Sequence, residues 1–294
     1  MNDHLTPAQK ITIADVQRKK LERQPITMLT AYDYPTALAV DQAGIDSILV
    51  GDSLGMVVLG YETTLPVTME DMIHHAKAVS RGAKRALLIG DMPFLSYQAS
   101  VAEAVKNAGR FLQEAGMDAV KLEGGREMLN AVKAIIAAGI PVMGHLGLTP
   151  QSVRKFGGFK SQGRTAQAAL KILDDALALE AAGCFAVVLE SIPDRVASFI
   201  SQRLSIPTVG IGAGSGCDGQ ILVLHDMLGF FDRFTPKFVR RYGQLHQNIA
   251  GAIAAYKKDV ETKMFPVHDH AYAINDAEWE YFLKEAEHSY AGRH

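Results

Sequence analysis

The sequence predicts a (β/α)₈ barrel, and three observations lead to this fold class. Short apolar segments alternate with helical segments along most of the 294 residues, and eight such apolar segments occur. They are continuously apolar rather than alternating, as expected for parallel strands covered on both faces. Several end in an acid or a glycine, the usual pattern at the open end of such barrels. An open doubly wound sheet is the alternative, but no Gly-x-Gly-x-x-Gly follows the first strand.

Helix caps and helix breakers support the elements predicted in the first half of the chain. Thr12 can cap a helix that Pro25 prevents from continuing, and Thr68 with Asp71 forms a capping box. The predicted helices are 13–21, 36–43, 68–81, 100–115 and 126–138. The predicted strands are 26–31, 47–50, 86–90, 118–122 and 140–144.

The same alternation continues in the second half, after a glycine-rich and basic loop at 156–164. Helices are predicted over 165–182, 193–203 and 238–262, and strands over 185–189, 207–211 and 221–224. We assign 1–294 to a single barrel domain, with 1–10 as a loose N-terminus and 263–294 as a C-terminal tail. The tail contains an amphipathic segment at 277–287.

The composition excludes several classes of protein. With 48% hydrophobic and 21% charged residues and a net charge of −2, the chain has no basic surface for nucleic acid or anionic membranes. Its first residues lack the basic-then-apolar order expected of a signal peptide, and no apolar run reaches about 18 residues. Its two cysteines, Cys184 and Cys217, form neither a disulfide framework nor a zinc motif. We therefore expect a cytoplasmic enzyme or binding protein with no nucleic-acid or membrane partner.

Acidic residues recur at the ends of the predicted strands, so their side chains should meet at one end of the barrel. The chemistry-bearing residues after strands one to six are Asp33, Asp52, Asp91, Glu123, His145 and Glu190. A single acid at such a position is usually a helix cap or a turn residue, and we interpret Asp33 in that way. Asp52, Asp91 and Glu123, at the ends of three consecutive strands, instead predict a site whose negative charge is balanced by a cation. Oxygen ligands favour Mg²⁺ over zinc.

Three further residues have candidate roles at this site. Lys121 lies two residues before Glu123, so both side chains should point into the barrel. Lys121 is either a Schiff-base lysine or a fixed charge for a substrate carboxylate, and the nearby acids favour the second role. His145, on a predicted turn over 144–147, is a substrate hydrogen-bond donor or a satisfied buried histidine. Glu190 in an enclosed site is suited to act as a general base or acid.

Two glycine-rich segments have open interpretations. The segment 210–214 follows the seventh strand, where barrels often bind phosphate, but it contains no lysine or arginine. Close backbone packing is therefore the favoured role of its glycines. The loop 156–164 is either a mobile lid or only a solvent-exposed surface loop. Cys184 and Cys217 are interpreted as small packing residues.

A series of segments, taken together, closely resembles the ketopantoate hydroxymethyltransferase family of pantothenate biosynthesis. They are MLTAYD (28–33), VGDSLGM (50–56), GDMPF (90–94), VKLEGG (120–125), GHLGLTPQ (144–151), QGRT (162–165) and GIGAG with CDGQ (210–214 and 217–220). They occur in the order of the family and cover roughly residues 10–270. The tail 275–294, with Trp279, Tyr281 and Phe282, is longer than the resemblance leads us to expect.

The resemblance implies a barrel whose bottom is closed by an N-terminal helix, assembled as a decamer of two pentameric rings. It implies hydroxymethyl transfer from 5,10-methylenetetrahydrofolate to 3-methyl-2-oxobutanoate, giving 2-dehydropantoate through a Mg-stabilised enolate. The Mg²⁺ ligands implied at matching positions are Asp52, Asp91 and Glu123. The implied substrate contacts are Asp52, Ser53, Asp91, Lys121 and His145, and the implied proton acceptor is Glu190.

Three alternatives remain open at the level of sequence. A Mg-dependent C–C lyase or mutase of the phosphoenolpyruvate mutase/isocitrate lyase type would share the barrel and the oxo-acid site. Such enzymes use a cysteine-bearing loop, and neither Cys184 nor Cys217 follows a strand in that way. A class I aldolase would use Lys121 as an imine. A non-catalytic metabolite-binding scaffold would have no need of a base at position 190.

Overall fold

The computed structural model describes residues 9–290, and its central feature is a closed barrel of parallel strands. The strands β1–β8 are Ile26–Thr30, Ser47–Val50, Leu87–Asp91, Ala119–Glu123, Val142–Gly147, Ala186–Glu190, Thr208–Ile211 and Gly219–Leu222. Each strand pairs with the next, and β8 closes the barrel against β1 through the pair Ile26 and Gly219. The predicted (β/α)₈ barrel is confirmed.

Helices connect the strands and continue beyond the barrel. The α-helices α1–α12 are Ile13–Leu21, Tyr34–Gln42, Leu54–Val57, Met69–Gly82, Val101–Ala115, Leu129–Ala137, Val153–Phe156, Ala166–Ala181, Asp194–Arg203, Leu224–Met227, Leu245–Glu261 and Asp276–Tyr290. Thr12 and Thr68 form the capping boxes predicted for α1 and α4. Asp33 caps α2 by accepting the Thr36 N–H at 2.8 Å, as predicted. None of the helices between residues 9 and 290 combines the length and the apolarity needed to cross a bilayer.

The first helix closes the bottom of the barrel, as the family resemblance implied. Val16 of α1 is buried in the same apolar cluster as barrel-interior residues such as Met28. Lys19 forms an ion pair with Asp46 at 2.6 Å, and Lys20 forms one with Asp218 at 2.7 Å. Both acids lie just before strands begin, so these pairs anchor α1 at the end of the barrel opposite the C-terminal strand ends.

Close packing of α5 on β3 leads to a prediction about stability. A Cβ atom at Gly90 would lie 2.2 Å from Phe111 Cδ1 of α5, so the strand or a fully buried ring would have to move. We expect Gly90→Ala to lower the free energy of unfolding by about 1–3 kcal/mol, the usual cost of overpacking a core. Denaturant unfolding followed by circular dichroism measures this change.

Gly109, in the same helix, provides the matched control for that substitution. A Cβ at Gly109 would have no contact within 4 Å. Because alanine loses less backbone entropy than glycine in a helix, Gly109→Ala should stabilise the protein by about 0.5–1 kcal/mol. Equal stability of the Gly90→Ala variant and the parent protein would contradict the packing described here.

Three predicted boundaries are wrong. β5 extends to Gly147, because Gly147 pairs with Glu190 of β6, so His145 lies within a strand and not on a turn. β8 begins at 219 rather than 221. The last barrel helix begins at Leu245 rather than 238, and 229–244 forms neither helix nor strand. Within that segment the Phe238 ring packs on the backbone of Gly212, a contact made from outside any helix.

The chain divides into two compact units with a boundary between Gly243 and Gln244. The first contains the barrel with α1–α10, and the second contains α11 and α12, which confirms a helix at the predicted amphipathic segment. The assignment of 1–294 to one domain with a tail from 263 stays a prediction. The loose N-terminus predicted over 1–10 lies largely outside the described residues.

Candidate active site

A cavity of about 900 Å³ opens at the C-terminal ends of the barrel strands. Its wall contains every residue that the sequence predicted for the site, namely Asp52, Ser53, Asp91, Lys121, Glu123, His145 and Glu190. They come from the turn after β2 and from β3 to β6. Parallel strands in a barrel all end at the same mouth, so residues far apart in sequence converge here.

Three buried carboxylates form one side of the cavity. Asp52, Asp91 and Glu123 are 3%, 1% and 4% exposed. One carboxylate oxygen of Asp91, Oδ2, accepts the Asp52 backbone N–H at 3.1 Å. Burial, together with the charges of Asp91 and Glu123, raises the pKa of Asp52 well above its ordinary value. The surrounding protein therefore compensates the negative charge of these three acids only in part.

Lys121 supplies the positive charge within this group of acids. Its Nζ lies 2.7 Å from Asp91 Oδ1, and its side chain is 4% exposed. Burial lowers the pKa of Lys121, but the charges of Asp91, Glu123 and Asp52 outweigh that effect and raise it above its ordinary value. The amine is therefore protonated at neutral pH. This agrees with the predicted role as a fixed charge and disfavours the imine chemistry of a class I aldolase.

His145 lies between the acid cluster and Glu190. Its Nδ1 is 3.3 Å from Lys121 Nζ and 3.5 Å from Glu123 Oε1, while its Nε2 is 3.1 Å from Glu190 Oε2. Burial and Lys121 each lower the pKa of His145, but the acceptors Glu123 and Glu190 raise it overall to about 9. His145 is therefore no isolated core histidine, because it connects the charged cluster to the carboxylate on β6.

Gln151 is a site residue that the sequence did not single out. Its Nε2 donates to Asp52 Oδ2 and to Met92 O, both at 2.9 Å, and its backbone N–H donates to Glu123 Oε2 at 3.0 Å. Its Oε1 accepts the Tyr97 hydroxyl at 2.7 Å. This one buried glutamine thus holds two of the three acids, Asp52 through its side-chain amide and Glu123 through its backbone N–H. The available signal was its place in the GHLGLTPQ segment, which carries the family resemblance.

Ser53 is held by a second tyrosine. The Ser53 Oγ lies 2.8 Å from the Tyr32 hydroxyl, which is buried beside β1. Burial raises the pKa of Tyr32 above its ordinary value, so this phenol stays neutral and serves as a hydrogen-bonding group. Ser53 lines the cavity and this hydrogen bond orients its hydroxyl, which agrees with its predicted position at the substrate site.

The cavity wall also contains aromatic residues that were not predicted for the site. It includes Phe159 from the 156–164 loop and Phe231, Phe234 and Phe238 from the segment before α11. Gly212, after β7, faces Phe238, and a Cβ at Gly212 would lie 2.7 Å from that ring. This close approach supports backbone packing as the role of the glycines after β7.

The carboxylates are ligands of the kind that Mg²⁺ prefers. Within residues 9–290, however, no group of three or more acids, histidines or cysteines has the geometry of a preformed metal site. Among the described residues, two buried oxygens accept no well-aligned hydrogen bond: Asp91 Oδ1, which is paired with the Lys121 ammonium, and Glu123 Oε1. Burial is the largest cause of the raised pKa of Asp52, and repulsion from Asp91 and Glu123 adds to it, as expected where carboxylates crowd together. The donor atoms and the charge thus fit a hard cation. Magnesium ligation by Asp52, Asp91 and Glu123 stays a prediction.

Solved structures with a similar fold belong to enzymes with low sequence identity to this chain. Phosphonopyruvate hydrolase superposes with a TM-score of 0.59 at 14% identity, over 97% of this chain and 99% of that one. 2,3-Dimethylmalate lyase, a member of the PEP mutase/isocitrate lyase superfamily, has a TM-score of 0.54 at 12% identity, over 93% and 98% of the two chains. At these identities the likeness shows the barrel fold alone.

Sequence relatives are far more similar. The 3-methyl-2-oxobutanoate hydroxymethyltransferase of Syntrophus aciditrophicus is 59% identical over 264 residues, covering 90% of this chain and 97% of the relative. The enzyme of the same name from Acetivibrio thermocellus is 56% identical over 267 residues, covering 91% and 94%. These relatives are transferases, and the prediction that this chain is an enzyme of the hydroxymethyltransferase class is confirmed.

A family model described as ketopantoate hydroxymethyltransferase matches residues 10–268. The match spans the barrel with α11 and ends before α12, as expected from the unusual length of the tail. The predicted resemblance is confirmed by both kinds of comparison. The chain therefore belongs to the ketopantoate hydroxymethyltransferase family.

Proposed function

We propose that this protein transfers a hydroxymethyl group from 5,10-methylenetetrahydrofolate to 3-methyl-2-oxobutanoate, giving 2-dehydropantoate. The observation that carries the proposal is the arrangement of Glu190 and Lys121 on either side of His145, at 3.1 and 3.3 Å. It brings a proton acceptor and a fixed positive charge into one cavity. The names of the relatives support the acceptor, and the family resemblance supports the folate donor.

The acceptor has a carboxylate beside a keto oxygen, and the acidic side of the cavity offers partners for both. The protonated Lys121 provides a charge-assisted hydrogen bond in a buried environment. Ser53, oriented by Tyr32, and His145 provide further donors, and Asp52 and Asp91 line the same wall. We propose these residues as the 2-oxo acid site.

Magnesium fits this site for reasons of charge and ligand type. Asp52, Asp91 and Glu123 would hold the ion, which when bound supplies Lewis-acid stabilisation of negative charge on substrate oxygens. Phosphonopyruvate hydrolase, which has the same fold, was solved in complex with oxalate and Mg⁺⁺. That complex concerns another enzyme, but it supports the proposal that a barrel of this fold can bind Mg²⁺ together with a small carboxylic acid.

Glu190 is the proposed base. It accepts the proton from C3 of the oxo acid, and the charge that develops on the keto oxygen lies near Lys121 and His145. The C3 carbon then forms a C–C bond to the one-carbon unit, whose bonds to the two carrier nitrogens break. Water supplies the hydroxyl oxygen, and the C3 proton and one water proton end on those nitrogens. The products are 2-dehydropantoate and tetrahydrofolate.

Deuterium exchange at C3 of 3-methyl-2-oxobutanoate tests the proposal directly. We expect NMR to show exchange with Mg²⁺ and no folate, and none with EDTA, because the base needs stabilisation of the developing charge. Absence of exchange in both conditions, also after tetrahydrofolate is added, would contradict the proposed substrate. Equal exchange in EDTA would contradict the metal requirement.

We further propose a cytoplasmic enzyme that assembles as a decamer. The support within this chain comes from α11, which exposes Ile249, Ile253, Tyr256 and Val260. Their spacing places them along one face of a helix. A face of this kind is suited to contact with another copy of the chain.

A further inference from the structure

The cavity is larger than a small branched oxo acid requires. Its volume of about 900 Å³ lies in the range that accommodates drug-sized ligands. The residues proposed for the acid come from the turn after β2 and from β3, β4 and β5. Other parts of the wall come from the ends of β7 and β8, from the segment 229–243 and from the loops after β2, β5 and β6. This leaves room beside the acid for a second and larger molecule.

The additional space has aromatic walls. Phe234 and Phe238 are 68% and 36% exposed although they line the cavity, and Phe159 is 50% exposed. Phe238 is held in place on Gly212, where a Cβ would lie only 2.7 Å from its ring. Rings presented in this way can pack on the flat face of an aromatic ligand.

One buried carboxylate faces the same space and has no partner. Asp226, in α10 after β8, is 9% exposed and lines the cavity. Among residues 9–290 its carboxylate has neither a hydrogen bond nor an ion pair. Burial raises the pKa of Asp226 to about 6, and the charge of Arg241 opposes this shift. At neutral pH it is therefore an ionised acceptor that lacks donors.

We propose that Asp226 and the phenylalanines at 231, 234 and 238 form the subsite for the pterin ring of the one-carbon carrier. The inference rests on the proposed function. A pterin is flat and aromatic, and its pyrimidine edge carries two adjacent donors, N3–H and the 2-amino group. This pair matches a carboxylate in bidentate geometry, which gives strong and directional hydrogen bonds.

The placement also orients the reacting atom. N5, which carries the one-carbon unit, belongs to the other ring of the pterin. With the pyrimidine edge on Asp226 beyond β8, N5 faces the centre of the cavity, where Glu190 and Lys121 line the wall. Lys237, which also lines the cavity, offers an ammonium to the glutamate carboxylates of the carrier.

Carrier binding by Asp226→Asn tests the proposal. The amide replaces one acceptor oxygen with a donor, so we expect a 10- to 100-fold higher Kd for tetrahydrofolate by calorimetry. The same loss is expected for 6-methyltetrahydropterin, which lacks the aminobenzoyl-glutamate end. Thermal unfolding verifies that the variant is folded. Phe234→Ala, at a largely exposed side chain, provides a second variant, and we expect weaker binding of both compounds.

Asp194→Asn is the matched control, because Asp194 is an exposed carboxylate on the wall of the same cavity. It should bind both compounds as the parent protein does. Parental affinity in folded Asp226→Asn and in Phe234→Ala would overturn the proposal. Weakened tetrahydrofolate binding with unchanged 6-methyltetrahydropterin binding would also overturn it, since the subsite would then hold the other end of the carrier. A failure of the proposed function itself appears separately, as absence of C3 exchange in the parent protein.

Discussion

Glu190→Gln is expected to remove C3 proton exchange while 3-methyl-2-oxobutanoate still binds. The substitution keeps the size of the side chain and its place at the end of β6, but an amide cannot accept the proton. Loss of a positioned general base typically lowers the rate about 10²–10⁴-fold. Proton NMR in deuterated buffer measures the exchange, and calorimetry with Mg²⁺ measures binding of the acid.

The comparison that isolates the base uses another carboxylate of the same cavity. Asp194 is exposed and its Oδ1 accepts the Arg195 N–H at 2.8 Å, so Asp194→Asn should exchange at the parental rate. Exchange at the parental rate in Glu190→Gln would refute the assignment. A loss of acid binding as large as the loss of exchange would instead show that Glu190 holds the substrate and is not the base.

The charged half of the site could be predicted because it depends on local rules. Parallel strands end at one mouth, and this rule alone brought together Asp52, Asp91 and Glu123. The two-residue period of a strand placed Lys121 and Glu123 on the same side, and both line the cavity. Asp33 was correctly separated from the others as a cap, because Pro35 follows it in the first turn of α2.

The other half depends on contacts between distant residues, which one sequence does not reveal. Gln151 is 99 positions from Asp52, and no local pattern shows that its amide reaches this acid. The aromatic wall was missed because the apolar spacing near 238 resembles the start of a helix. In the structure Phe238 lies before that helix and packs on Gly212, a contact between residues too far apart in sequence for periodicity to reveal.

Lys121→Met is expected to destabilise the protein, and to do so more at pH 8 than at pH 5.5. Burial, Asp91 and Glu123 all raise the pKa of Asp52, and the charge of the Lys121 ammonium opposes them. Removing one member of a buried charged group typically costs about 3–5 kcal/mol. Denaturant unfolding of the variant and the parent protein without metal, at both pH values, measures the difference.

The direction of the pH effect follows from the number of bound protons. The pKa of Asp52 in the folded parent protein already lies above the unfolded value of about 3.9, and in the variant it rises further, so the folded variant binds more protons than the folded parent between the two folded-state pKa values. The free energy of unfolding then falls as pH rises through this window, and the deficit relative to the parent protein grows. Lys171→Met, at a 68% exposed lysine paired with Asp175, should cost at most about 1 kcal/mol without this pH trend. If Lys121→Met shows the same deficit at both pH values, the three acids do not depend on this ammonium for their charge balance.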